Sequence, residues 1–493
     1  MYVFSWNINM KLIYLIEGKN YQSSVFESRD FAKRLRDSIN KEFDSIVVKE
    51  NNNGFVFHYI GLYDYVDSAT QKNYTFFFVP KFINDINNFN ENDNENDRNA
   101  VIRNAVILAI DRYNKEQNSL TEQTDSLDKK RESVLELAVR FLRNYLENGL
   151  YIVHKNELEL NGQGEINWET TIEQFDPVII KGRPYYLDYM TEQAYSDENH
   201  YITQLQKCLI TVWGSKLEKL GLASVLRVNV PLLSEDSLDY FGDSDYQISQ
   251  INKELNVTFV TKSRETLKLM KELIQRFSEN EINNHESLSF GMTGVEHLWE
   301  RACAEVFRSE LDKKISECGI NSSRFGNKTF REYMPSVFWK KDRESRCISK
   351  ADGWRLDFIR YFNQKLVILD AKYYSVNWND DGKIEGQPGI PDIAKQMFYQ
   401  MAFKDLVDNP INTVTGFVNA FLFPYNGNEI TISETVTLGY DENNAASAFS
   451  DIHLFAVRIP GISLLEKYGN FEYDEDGFKK IVNFTANSLQ PPN

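Results

Sequence analysis

Cysteine is scarce in this chain: four in 493 residues, at 208, 303, 318 and 347, with no C-x-x-C pair and no histidine at ligand spacing. Structural zinc and a disulfide framework are therefore not expected, and a reducing compartment is. The six histidines are equally dispersed and read as isolated surface or core residues. Long hydrophobic runs are missing too, since no stretch approaches the roughly eighteen apolar residues of a membrane-spanning helix. The opening stretch MYVFSWNINMKLIYLIEGKN lacks a basic segment followed by an apolar core and a small-residue cleavage site. It reads as a strand rather than an export signal, and the chain is expected in the cytoplasm with no membrane partner. No GxxxxGK[ST] loop occurs, and the lone EGKN at 17–20 has neither the upstream glycine nor the Ser/Thr of a phosphate cradle. No repeat of fixed period is present. Positive charge is the last deficit: 55 Lys and Arg stand against 72 Asp and Glu, a formal net charge of −17. That argues against indiscriminate nucleic-acid binding. It leaves room for a local basic face, a bound divalent cation or a partner subunit to supply positive potential.

What is there is a globular composition, 42% hydrophobic and 26% charged, long enough for two or three domains. Residues 1–82 read as β-rich, on the aromatic runs GFVFHYIGLYDY and NYTFFFVPKF. The tract INDINNFNENDNENDR, 83–98, has little to bury and reads as an exposed loop or linker. Within 99–149, RNAVILAIDRY and SVLELAVRFLRNYL carry apolar residues at helical spacing. Around 150–190 the pattern is extended, centred on ELELNGQGEINWETTI with NGQG as a turn. HYITQLQKCLITVWGSKLEKLG reads as a helix ended by Gly221, and SRETLKLMKELIQRF as a helix capped by Ser263. From about 286 the order is an amphipathic helix, TGVEHLWERACAEVFRSEL, then strands RLDFIRYF and KLVILDAKYY joined at Asn363-Gln364. A second helix, IPDIAKQMFYQMAFKDLV, and strands in VTGFVNAFLFP, ITISETVTLGY and HLFAVRIP complete an α/β pattern. The expected division is 1–98, a β-rich domain ending in the linker; 99–285, mainly helical; and 286–493, α/β.

The chemistry-bearing feature is the end of the LVIL strand. Buried strands seldom carry ionisable groups unless those are paired, ligating or reacting. Residues two apart on a strand share a face, so Asp370 and Lys372 project together. In the preceding strand Arg355, Asp357 and Ile359 share one face, and the two-residue turn with sheet twist allows Asp357 to meet Asp370. Two carboxylates and a lysine suit Mg²⁺, which takes oxygen ligands, uses one or two carboxylates and keeps several waters. Such an ion activates water and polarises a phosphoryl oxygen. An acid followed by Asp-x-Lys on the next strand is the PD-(D/E)xK arrangement. Other D-x-K matches, at 128–130, 312–314 and 381–383, lie in charged, helical or loop-like sequence. Asp352 competes with Asp357, but stands beside Gly353 in turn-like sequence. Glu296 and Glu300 lie four apart on the preceding helix, flanking its apolar stripe; resemblance to nucleases of this class, which often place a helix glutamate near the metal, makes Glu300 the preferred third ligand. Gln396 on the following helix resembles the glutamine that related nucleases turn towards the site, and Lys395 beside it is a candidate for phosphate contact.

The stretches WRLDFIRYF, LVILDAKYY and GIPDIAKQMFYQMAF, taken with YIGLYDY, FFFVPKF and LNGQGEINWETTI, resemble the LlaJI-type restriction endonucleases, relatives of the McrC nuclease subunit. The resemblance spans most of the chain and is weakest at 83–98 and 234–246. It implies a PD-(D/E)xK nuclease core, a mixed sheet flanked by helices, preceded by a β-rich and helical region. It implies a Mg²⁺-dependent endonuclease acting on DNA in phage restriction, with Asp357, Asp370 and Glu300 at the metal and Lys372 and Gln396 in catalysis. It also implies an McrB-like AAA+ GTPase partner, docked on 1–285, which agrees with the missing phosphate loop. NGQGEINW is either a turn at that contact or a structural turn. Two other readings stay open: a repair or recombination nuclease with the same core, and a non-cleaving scaffold that activates the GTPase.

Overall fold

In a computed structural model, the described residues are 12–51, 54–84, 93–124, 132–282, 287–320, 326–339, 349–351, 354–374, 376–378, 384–407, 414–436, 439–441, 444–445 and 452–487. Asp352, Cys347, the D-x-K matches at 128–130 and 381–383, and part of the 83–98 tract lie outside them. The chain forms two compact units, Met1–Lys130 with Ser287–Asn493, and Arg131–Glu286.

The first unit contains two main sheets. Strands β1 (Leu12–Ile16), β2 (Ile60–Val66), β3 (Asn73–Val79) and β4 (Leu288–Met292) form one, in the order β1-β3-β2-β4. The aromatic runs read from sequence supply β2 and β3, whose Tyr63, Tyr65, Phe76 and Phe78 build its core. Helix α1 (Arg29–Glu42) covers this core through Phe31, Ala32, Leu35 and Ile39, and Ser28 caps it by accepting from the Phe31 N–H. Within 12–82 the β-rich reading thus holds for the sheet but not for this helix, and residues 1–11 of the stretch read as an opening strand lie outside the described residues. Residue 98 falls inside the long helix α2 (Asp93–Thr124), so the tract ending there is helical from residue 93.

The second sheet is built from β5 (Phe358–Phe362), β6 (Lys365–Ala371), β7 (Gly416–Tyr425), β8 (Thr431–Val436) and β9 (Leu454–Pro460), in the order β5-β6-β7-β9-β8. β6, β7 and β9 run parallel, and β5 and β8 close the edges antiparallel. The central strands read as near-continuous apolar runs because both their faces are covered. The flanking helices are α3 (Val295–Val306), α4 (Ile390–Ala402), α5 (Gly461–Gly469) and α6 (Glu475–Asn487). α4 lies in the crossover between parallel β6 and β7, as such a connection requires. Asn363 and Gln364, both at positive φ (47° and 62°), form the tight turn between β5 and β6.

The second unit holds helices Val134–Asn148, Tyr201–Lys219, Ser244–Val257 and Thr261–Ile282, with a three-stranded sheet of Val153–Leu160, Met190–Asp197 and Glu165–Ile166. Two local readings change here. Trp168–Gln174 is helical, not extended, because the Asn167 side chain caps it by accepting from the Thr170 N–H. The helix expected to be capped by Ser263 begins at Thr261, and Arg264 N–H already bonds the Val260 carbonyl. Among the described residues no helix is long and apolar enough to cross a membrane.

Candidate active site

On β6 the even-numbered side chains face α4: Leu366 and Ile368 pack with Tyr399 and Phe403. Asp370 continues that face at 2% exposure. Lys372 lies one step past the strand, its N–H donating to the Leu422 carbonyl of β7 at 2.9 Å. Its ammonium is 2.9 Å from Asp370 Oδ2 and 3.1 Å from Oδ1 of Asp392, in the first turn of α4. Burial works against this charge, but Asp370 and Asp392 outweigh it and hold the lysine above its ordinary pKa. Asp370 Oδ1 is buried without a hydrogen-bond partner.

Asp357 stands in the bend just before β5, not within the strand. The antiparallel register, Phe358 opposite Leu369, carries it towards Asp370. The Ala371 N–H donates to its Oδ2 at 3.3 Å. Burial, then the neighbouring Asp370 and Glu300 charges, push its carboxyl well above the usual range, and Lys395 pulls it partly back. Asp357, Asp370 and Lys372 are therefore together at one strand end.

The remaining candidates surround this group unequally. Glu300 on α3 is half-buried, its carboxylate 3.6 Å from His297 Nδ1, and its charge is felt at Asp357 and at buried Cys303. Glu296, one turn earlier, instead lines a cleft of about 280 Å³ with Glu17, His58, Lys81, Gly294 and Tyr373. Among the described residues no three Asp, Glu, His or Cys side chains converge into a ready ligand cage. Gln396 is buried; its Nε2 donates to the Ile368 carbonyl at 3.5 Å and its Oε1 has no partner. Lys395 reaches over the Tyr399 ring at 5.5 Å.

Asp392 and Tyr399 join the site without having been singled out by the sequence motif. Tyr399 donates to the Arg355 carbonyl, and burial followed by Asp357 and Asp370 raises its phenol above the ordinary value. A signal was available: Asp392, Lys395, Gln396 and Tyr399 are spaced i, i+3, i+4 and i+7, a polar stripe on one face of α4.

Two acids this close, with a buried oxygen lacking any donor, form a poor site for two negative charges alone. Hard oxygen donors beside an unmade contact fit a divalent cation that takes one or two carboxylates and completes its shell with water.

The chain is thus a mixed α/β protein with one buried and one half-buried aspartate and a lysine at a strand end near one edge of its sheet. Residues 65–452 match the family model described as LlaJI restriction endonuclease, and the chain belongs to that family, a nuclease of a restriction system. It is 27% identical over 401 residues to the type II restriction enzyme BsuMI component YdjA of Bacillus subtilis (strain 168), covering 80% of this chain and 78% of that protein. A chain of the Thermococcus gammatolerans assembly of McrB AAA+ hexamers with bound McrC is similar over 96% of this chain and 99% of its own length, with a TM-score of 0.39 and 13% identity. A chain of the McrBC complex of the same organism is similar over 59% of this chain and 85% of its own, with a TM-score of 0.29 and 13% identity.

Proposed function

We propose that this chain is the Mg²⁺-dependent DNA endonuclease subunit of its restriction system, with the five-stranded sheet and its helices serving as a PD-(D/E)xK core. One observation carries the reading: Asp357, Asp370 and Lys372 meet at the end of β6 with Asp370 Oδ1 buried and unpartnered. Asp357 and Asp370 would hold the cation, with Glu300 approaching from α3. The bound ion supplies Lewis acidity, lowering the pKa of water and polarising a phosphoryl oxygen. Lys372, kept protonated by Asp370 and Asp392, acts as a fixed positive charge that orients water and steadies negative charge developing on the phosphodiester. A lysine held above its ordinary pKa is a poor base, so its contribution is electrostatic. Gln396 has an unpaired carbonyl oxygen to offer a water, and Lys395 a cation for phosphate.

The partner is an McrB-like AAA+ GTPase, docked on residues 1–285. The lack of a phosphate-binding loop in this sequence supports it, as does the resemblance of the sequence to the McrC group. The curated relative is itself named as one component of a restriction enzyme.

The test is Asp370→Ala in the full-length chain assembled with its GTPase. Losing a metal-holding carboxylate removes several kcal/mol of transition-state stabilisation, so cleavage should fall at least about a thousandfold. GTPase stimulation and circular dichroism should be retained. Cleavage at the parent rate would sink the assignment, and parent and variant stimulating the GTPase with neither cutting would favour the scaffold reading.

A further inference from the structure

β6 ends at Ala371, so Lys372 stands one position beyond the strand's last paired residue. A single backbone bond carries the ladder that far, from the Lys372 N–H to the Leu422 carbonyl at 2.9 Å. The indole N–H of Trp299 on α3 donates to the same carbonyl at 3.2 Å, which holds the acceptor in place. A lysine stem is flexible, so where its ammonium stands depends on how firmly its backbone is fixed.

The next residue is gripped from the other end of the sequence. Tyr373 is buried, and its hydroxyl donates to Glu17 Oε2 at 2.5 Å. Glu17 directly follows β1, and its own N–H donates to the Val79 carbonyl at the end of β3 at 2.9 Å. The Lys81 N–H is shared between Glu17 Oε2, at 3.3 Å, and the Tyr373 hydroxyl oxygen, at 3.2 Å. The Lys81 ammonium lies over the Tyr373 ring, 4.4 Å from its centroid, and the Phe82 ring stands edge-on to it at 6.3 Å. Phe82 is itself boxed in, by Trp299 at 6.4 Å and by Gly461 at the start of α5, where a Cβ would meet its ring at 2.4 Å. Tyr373 is thus held by hydroxyl and ring towards β1 and β3, while Lys372 reaches the other way, to Asp370 and Asp392 of α4.

We propose that Glu17 and Tyr373 are positioning residues for Lys372. The ends of β1 and β3 clamp Tyr373, and Tyr373 fixes the backbone from which the ammonium is presented between Asp370 and Asp392. The proposal rests on the nuclease reading above. It makes the cutting centre depend on both ends of the chain, since residues 286–493 alone lack the groups that hold Tyr373. The competing account is that the pair only stabilises the fold, and the test separates the two.

The test uses the full-length chain assembled with its GTPase, cutting a DNA duplex in single turnover with Mg²⁺. Misplacing a reacting group by about 1 Å can cost about a hundredfold, and a loosened support should cost part of that, about tenfold in maximal rate for Tyr373→Phe and for Glu17→Ala. The DNA and Mg²⁺ concentrations that give half the maximal rate should stay within about twofold of the parent, because Asp357 and Asp370 keep their places. Glu17→Gln keeps an oxygen acceptor for both donors and should recover the rate to within about threefold of the parent. Thr75→Val is the structural control: it removes a buried hydroxyl that donates to Asp64 at 2.9 Å in the same sheet, and should lower the urea midpoint at the parent cleavage rate. Tyr373→Phe cutting at the parent rate overturns the proposal. So does an equal loss of rate in Thr75→Val, which would reduce the pair to a part of the sheet's stability. Asp370→Ala keeps the two readings apart: if it cuts like the parent, the cutting centre itself fails. If it is inactive while Tyr373→Phe cuts like the parent, only the clamp fails.

Discussion

Glu300 and Glu296 stand one turn apart on α3 and feel different neighbours: Glu300 acts on Asp357, Glu296 on Glu17 and Tyr373. Glu300→Gln should therefore lower cleavage about tenfold or more, while Glu296→Gln stays within about twofold in the same assay, since tenfold corresponds to about 1.4 kcal/mol of barrier. Equal losses would show that α3 supports the site only as a scaffold. The centre itself was legible because strand geometry has period two, which fixes that Asp370 and Lys372 share a face. The contacts around it were not legible in that way. Tyr373, next to Lys372, donates to Glu17 Oε2 at 2.5 Å across a separation of 356 residues, and the Lys81 N–H donates to the same oxygen at 3.3 Å. No local pattern encodes such a pair. Burial, only partly offset by the Tyr373 hydrogen bond, raises the Glu17 pKa. Tyr373→Phe removes the phenol and leaves a buried carboxyl short of a donor, which should cost roughly 1–3 kcal/mol. A lower urea midpoint with unchanged slope is the expected reading, and an unchanged midpoint would mean that water replaces the phenol.

At the scale of the element, the β5–β6 hairpin joins the two acids, and its turn is where sequence and geometry pull apart. Asn363 tolerates positive φ, but Gln364 adopts φ 62° with a side chain that makes the conformation sterically strained relative to glycine. The Gln364 carbonyl is fixed by the Thr415 N–H at 2.7 Å, so a change of side chain leaves that contact in place. Gln364→Gly completes the Asn-Gly pair that such turns favour and should stabilise the unit by roughly 0.5–1 kcal/mol, relief of left-handed strain outweighing glycine's extra entropy. A rise in urea midpoint with cleavage unchanged is the expected result, and a fall would place the strain elsewhere. The two strands and the turn were readable because apolar runs and turn residues are local signals. Helix α1 was hidden in a span where aromatic runs dominate the pattern, although Phe31, Leu35 and Ile39 are spaced four apart. β4 was hidden for a different reason, since its partner β2 lies more than two hundred residues upstream. At that pairing Gly61 has φ 119° and faces Gly291, and a Cβ there would meet the Phe290 carbonyl oxygen at 2.3 Å, so the two backbones come together only through glycine.

Across the whole molecule, two units with separate cores imply that unfolding is not a single two-state event, so each unit has its own response to pH. Glu132 gives the Arg131–Glu286 unit a specific one. Its carboxylate lies 3.3 Å from Arg140 Nη1, but Arg140 also serves Glu272 through Nη2 at 3.3 Å. Burial dominates the shared attraction, Glu136 and Glu272 add repulsion, and the carboxyl of Glu132 is pushed up to about 7. In the unfolded chain this group keeps the ordinary glutamate pKa and gives up its proton first, so between the two values the folded state binds more protons. The stabilising contribution is therefore full below the unfolded value and is lost as pH rises through about 7. Glu132→Gln carries no charge at any pH, so it should match the parent near pH 4 and exceed it near pH 8. Each tenfold difference in proton affinity between folded and unfolded chain is worth about 1.4 kcal/mol, so the gain is on the order of 1–3 kcal/mol. Calorimetric scans of the full-length chain across that range should show the transition of this unit moving up in the variant at alkaline pH only. The transition of the unit that carries Asp357 and Asp370 should stay in place. A difference that is flat with pH would mean that Glu132 is ionised in the folded protein throughout, with Arg140 rather than burial deciding its charge.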